Sequence, residues 1–131
     1  MSARIIVVDS DPGLLRSVDG LLRRFGALAE VSSSFSAALG AISAAESRGE
    51  PFDVLVADVG PRACSGFDLA LVLKHDRIAP EHLVFMSSVV DDERREKASV
   101  LGGVLFDKVE ELLEMVVVVA ALTGAAPRPR S

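Results

Sequence analysis

The sequence predicts a doubly wound α/β domain, a five-stranded parallel sheet with helices on both faces. Three observations carry that expectation. Five short strand-like runs alternate with five segments of helical character, and such alternation gives a parallel sheet with right-handed crossovers. The central run, Val54–Ala57, is continuously apolar, as a strand buried on both faces requires. Four of the runs end at polar residues, Asp9, Asp58, Ser87 and Lys108, and open α/β sheets do their chemistry beyond the carboxyl ends of the strands.

Arg4–Val8 is a buried strand that ends at Asp9-Ser10-Asp11-Pro12. Asp11 is a good N-cap and Pro12 suits the first helical position. Leu14, Leu15, Val18, Leu21, Leu22 and Phe25 then recur at helical spacing until Gly26 stops the helix. Ala27–Val31 is a weaker second strand. Ser34 caps a helix with Phe35, Leu39 and Ile42 on one face, fading through Glu46–Gly49. Phe52–Asp58 is the central strand, and Gly60, Pro61, Ser65 and Gly66 break regular structure after it. Gly66–Lys74 opens the third helix, Leu83–Met86 is the fourth strand, and Asp91–Leu101 is a charged helix stopped by Gly102-Gly103. Val104–Phe106 is the fifth strand and Val109–Leu122 the last helix. Residues 1–124 read as one domain, with a Pro/Arg tail over 125–131.

Composition narrows the function classes. The 131 residues carry a net charge of −5, with no basic patch or aromatic platform, so a nucleic-acid surface is not expected. The longest apolar run, Met115–Leu122, is far short of the roughly 20 residues a membrane span needs. The single Cys64 allows no intrachain disulfide, and Met1–Arg4 has no signal-peptide layout. A cytoplasmic protein is expected.

The strand ends of a doubly wound sheet lie along one edge, so Asp9, Asp11, Asp58, Ser87 and Lys108 converge there. Crowded carboxylates repel unless a cation intervenes. Lys108 supplies one, and Mg²⁺ would supply another through one or two carboxylates plus water. Such a site suits phosphoryl transfer, with a carboxylate as nucleophile and cations on the phosphoryl oxygens. If each residue were only a cap, their common placement at four strand ends would be coincidence.

Over residues 4 to about 122 the chain resembles the receiver domains of two-component response regulators. The stretches that carry the resemblance are Ile5–Pro12, Phe52–Asp58 with Gly66 eight residues on, Leu83–Ser88, and Leu105-Phe106-Asp107-Lys108. It implies a flavodoxin-like (βα)5 fold with strand order 2-1-3-4-5. It makes Asp58 the phosphoacceptor, Ser87 the switch hydroxyl and Lys108 the contact to the phosphoryl group. Asp9, Asp58 and the Gly60 carbonyl would be Mg²⁺ ligands, with Asp11 or Ser10 as a further candidate. The partners implied are a histidine kinase or phosphotransfer protein upstream and a protein target downstream, without classical enzyme activity.

Several residues depart from the family pattern. Ser10 stands where a second acidic residue is usual, which predicts weak or absent Mg²⁺ binding. Pro61 falls one position early, Leu105 replaces the usual aromatic switch residue, and Val109 replaces the Pro after the Lys. These favour a pseudo-receiver alternative, a docking module that works without phosphorylation. A second alternative starts from Val8-Asp9-Ser10-Asp11, which fits the Asp-x-Asp signature of haloacid-dehalogenase-type phosphohydrolases, with Asp9 as nucleophile and Asp11 as general acid. That reading leaves Asp58 without a role.

The last helix has no polar face from Met115 onward, whereas a helix packed on one side needs an apolar stripe of only about 100°. Some of Met115, Val118, Val119 and Leu122 are therefore expected to stay exposed and to support a homodimer or a partner contact. Cys64 is expected to be an inert loop thiol, and His75 and His82 to be surface residues.

Overall fold

The computed structural model describes residues 3–60 and 65–124. Pro61, Arg62, Cys64 and the tail from 125 lie outside the described residues. Ten elements alternate along the chain: β1 (Ile5–Val8), α1 (Pro12–Arg24), β2 (Ala29–Ser32), α2 (Phe35–Ser47), β3 (Val54–Asp58), α3 (Ser65–His75), β4 (His82–Ser87), α4 (Asp92–Val100), β5 (Val104–Asp107) and α5 (Leu112–Leu122). The strands form one sheet in the order β2-β1-β3-β4-β5, and every neighbouring pair is parallel.

The uninterrupted apolar runs of β1, β3 and β4 serve two cores at once. Successive side chains point to opposite faces of a strand, so Ile5, Val7, Val54, Val56, Val84 and Met86 pack under α1 and α5. Ile6, Val8, Leu55, Ala57, Leu83 and Phe85 pack under α2, α3 and α4. The helix starts follow their capping residues. Asp11 accepts from the N–H groups of Gly13 and Leu14, Ser34 from that of Ala37, and Asp91 from that of Arg94. Gly26 and Gly102 take φ values of 78° and 81° at the ends of α1 and α4, a region open to glycine.

The last helix departs from expectation at its start and, in part, in which side chains it exposes. It begins at Leu112 rather than Val109, because Val109 and Glu110 lie in a turn held by Asp107. Of the four side chains singled out for exposure, Met115 and Val119 are fully buried, Val118 is half-buried and Leu122 is exposed. Leu122 thus stays exposed as expected, and the larger bare apolar surface falls on Leu113 and Val117, 56 % and 44 % exposed. They stand one helical turn apart on the solvent side of α5. His75 is exposed as expected, while His82 begins β4 and is only half-exposed.

Candidate functional site

Strand register builds the site. In the β1–β3 ladder Ile5 faces Val54 and Val8 faces Ala57, so one step further Asp9 stands beside Asp58. Both residues share the side-chain direction of Val7 and Val56, toward the α1/α5 face. Lys108 follows β5 with the same phase, and its Nζ lies 3.1 Å from Asp9 Oδ2 and 3.1 Å from Asp58 Oδ1. One ammonium thus bridges two carboxylates that would otherwise repel each other.

The two acids differ in setting. The Asp9 side chain is 1 % exposed and also accepts the Asp11 N–H at 2.8 Å. Burial pushes its pKa above the usual 3.8, and the negative charge of Asp58 adds to this against the pull of the Asp11 N–H and Lys108. Ionised Asp9 therefore costs stability as the pH rises through that raised value. Asp58 is 18 % exposed. Its Oδ1 takes both Lys108 and the Gly60 N–H at 3.2 Å, while its Oδ2 accepts no hydrogen bond among the described residues. For Lys108, burial works against the charged form, but hydrogen bonds and attraction from Asp58 and Asp9 win, so its pKa lies above 10.5. Its stabilising charge is lost only as the pH rises through that value.

The other expected site residues are placed less directly. Ser87 is fully buried, and its Oγ accepts the Val89 N–H at 3.0 Å rather than contacting the carboxylates. Asp11 is turned outward to cap α1, so it does not join Asp9 and Asp58. Ser10 is exposed. With Asp9, Asp58, Ser33, Ser34 and Gly66 it lines a cavity of about 230 Å³ next to the bridged pair.

The turn that follows β5 carries little sequence signal, because Asp107 is the one turn-favouring residue of Asp-Lys-Val-Glu-Glu. Asp107 Oδ1 accepts the N–H groups of Val109 at 2.8 Å and Glu110 at 3.0 Å. Glu111 Oε1 accepts the Asp107 N–H at 2.9 Å, and the Ser87 carbonyl accepts the Lys108 N–H at 3.0 Å. Every backbone N–H around Lys108 is thereby engaged, which points its side chain back over the sheet edge. The Glu110 and Val109 N–H groups hold the Asp107 pKa below 3.8. Asp107→Ala is expected to destabilise the domain at neutral pH. The difference from wild type should vanish as the pH falls below 3.8, where Asp107 itself takes up a proton. Thermal melts across that range check this.

Two carboxylates, Asp9 and Asp58, border an open cavity with room for water, a partial donor set for a hard divalent cation; no group of three acidic, His or Cys ligands stands together among the described residues. Lys108 already occupies the shared side of the pair. The carboxylate count is low, because Ser10 contributes none and Asp11 points away.

No family model and no curated protein matches the chain. Solved structures do. A response regulator receiver protein from Burkholderia phymatum is 26 % identical, with a TM-score of 0.76 over 96 % of this chain and 99 % of that one. The receiver domain of Francisella response regulator 1452 is 18 % identical, with a TM-score of 0.77 over 93 % and 97 %. The Vibrio cholerae chemotaxis protein CheY4 is 18 % identical, with a TM-score of 0.72 over 94 % and 99 %. The α/β architecture is that of response regulator receiver domains.

Proposed function

We propose, from the premise of a receiver architecture, that this domain accepts a phosphoryl group on Asp58 and signals by protein–protein contact. The observation that carries the reading is the bridged pair: Lys108 holds Asp58 Oδ1, which leaves Oδ2 without a hydrogen bond among the described residues, as the attacking oxygen of a carboxylate that lines the cavity. In the transfer a bond forms between Oδ2 and phosphorus. The phosphorus–nitrogen bond of a phosphohistidine donor breaks, and the leaving imidazole nitrogen takes up a proton from water. Lys108 then neutralises charge on the acyl phosphate. Asp9, Asp58 and the Gly60 carbonyl would hold Mg²⁺, which when bound neutralises phosphoryl oxygens. Binding is expected to be weak because Ser10 supplies no carboxylate. Ser87 would act as the switch hydroxyl by releasing Val89.

Incubation with acetyl phosphate followed by mass analysis tests this. One phosphoryl adduct is expected, mapped to Asp58 and absent in Asp58→Asn. An adduct on Asp9 would contradict the assignment, and no adduct in excess Mg²⁺ would favour the pseudo-receiver. The phosphohydrolase alternative is weakened because Asp11, its general acid, caps α1 instead of facing Asp9.

The contact surface we assign to α5 is centred on Leu113 and Val117 rather than on the buried Met115 and Val119. Contiguous exposed apolar side chains mark association surfaces, here for a second copy or a downstream protein. Light scattering of wild type and Val117→Lys is expected to show a dimer that the lysine dissociates. A wild-type monomer would leave this face to a different protein. Among the described residues no helix is long and apolar enough to cross a membrane.

A further inference from the structure

On the sheet face opposite α1 and α5, the helices α3 and α4 border a groove of about 480 Å³. Its origin lies in α4, whose run DERREKASV buries only Ala98, so no large α4 side chain fills the space beside α3. The buried Phe67 and Leu101 form the floor, with the Phe67 ring 4.9 Å from that of Phe85 at 57°. Leu71 and Val100 stand on opposite walls, 54 % and 80 % exposed. The rim is acidic: Asp68, Glu93 and Glu96 face it with Lys97 as the one cation of the lining. Lys97 is already 3.8 Å from Glu93, whereas Asp68 and Glu96 make no ion pair among the described residues.

We infer that this groove docks a helical segment of a partner protein that carries an apolar stripe flanked by Lys or Arg. Leu71 and Val100 project beyond the floor, so a compact ligand seated on Phe67 and Leu101 would leave both in water. An amphipathic helix laid along the groove covers all four. Three carboxylates against one paired ammonium select a basic flank over an acidic one, and the net charge of −5 draws such a segment in at low salt. The surface lies across the sheet from Leu113 and Val117 and is independent of phosphoryl transfer to Asp58.

The test titrates the isotope-labelled full chain with a synthetic helix-forming peptide of ~15 residues, Leu at i, i+4 spacing and Lys on both flanks. Amide shifts give the location and fluorescence anisotropy gives the affinity. Shifts are expected to cluster on α3 and α4. Leu71→Lys and Val100→Lys, at exposed positions and checked for unchanged melting, should each weaken binding by about tenfold. Replacing the peptide lysines by Glu should abolish it. The proposal is overturned by absence of binding, by shifts centred on α5 or on Asp58, by equal binding of the Glu peptide, or by insensitivity to both substitutions.

Discussion

Gly66→Ala is expected to lower the melting temperature by roughly 10 °C. A methyl group at position 66 would stand 2.5 Å from the carbonyl oxygen of Asp58, 2.9 Å from Val59 Cγ1 and 3.0 Å from the Asp58 carbonyl carbon. Two of these neighbours are backbone of the strand end that carries the candidate phosphoacceptor, so no side-chain rotation relieves the clash. Overpacking of this kind costs about 3 kcal/mol. The relief available is to push α3 away from β3, which would also displace Asp58 from Lys108. The variant is therefore expected to lose both stability and acetyl phosphate reactivity. Thermal melts and adduct yield check the two effects, and unchanged values would mean that α3 is not clamped here.

Lys108→Ala is expected to have the largest electrostatic effect. Its removal leaves Asp9, almost wholly buried, and Asp58 as neighbouring carboxylates with no cation between them. Breaking a buried pair by removing one partner costs about 3 kcal/mol, less where the stranded acid can take up a proton. Asp9 is disposed to do so, since its pKa is already raised by burial and by Asp58. Destabilisation of about 2 kcal/mol at neutral pH is expected, shrinking in acid. Mg²⁺ no longer competes with the ammonium in this variant, so it should restore more stability to Lys108→Ala than to wild type. Denaturant titrations with and without Mg²⁺ measure this. Equal Mg²⁺ effects in the two proteins would place the ion away from the Asp9–Asp58 pair.

The sheet, its faces and the strand-end residues were legible in the sequence for one reason. A parallel strand buried on both faces cannot hide a polar residue along its length, so Asp9, Asp58 and Ser87 could stand only at the ends. Helix starts at Pro12 and Phe35 followed from Asp11 and Ser34, whose side chains do cap them, while Asp91, read as the first residue of its helix, caps α4 instead. The start of α5 was not legible, because Asp107 reaches forward to two N–H groups and turns Val109 and Glu110 out of the helix. Nor was its exposed side. A helix apolar all round has no period from which to phase its faces, so the choice between Val117 and Val119 is made by contact with β5 and α1. Asp11 had two candidate roles, cap and metal ligand, and only coordinates separate them. The steric need for Gly66 likewise depends on how closely α3 passes the end of β3.

The division of the interior into two sets of side chains, one under α1 and α5 and the other under α2, α3 and α4, has a consequence for how news of a change at Asp58 could spread. The carboxylate pair belongs by phase to the first side, and the acidic groove to the second. Close packing transmits displacement well within each layer, but the hydrogen-bonded sheet lies between the layers as a stiff partition. The connection that avoids the partition runs round its carboxyl edge. Lys108 is joined through its N–H to the Ser87 carbonyl, Ser87 holds the Val89 N–H through its hydroxyl, and a few residues on Asp91 caps α4. The domain is thus wired at its rim, where residues 87–91 join its two faces beside the close approach of Gly66 in α3 to the Asp58 carbonyl.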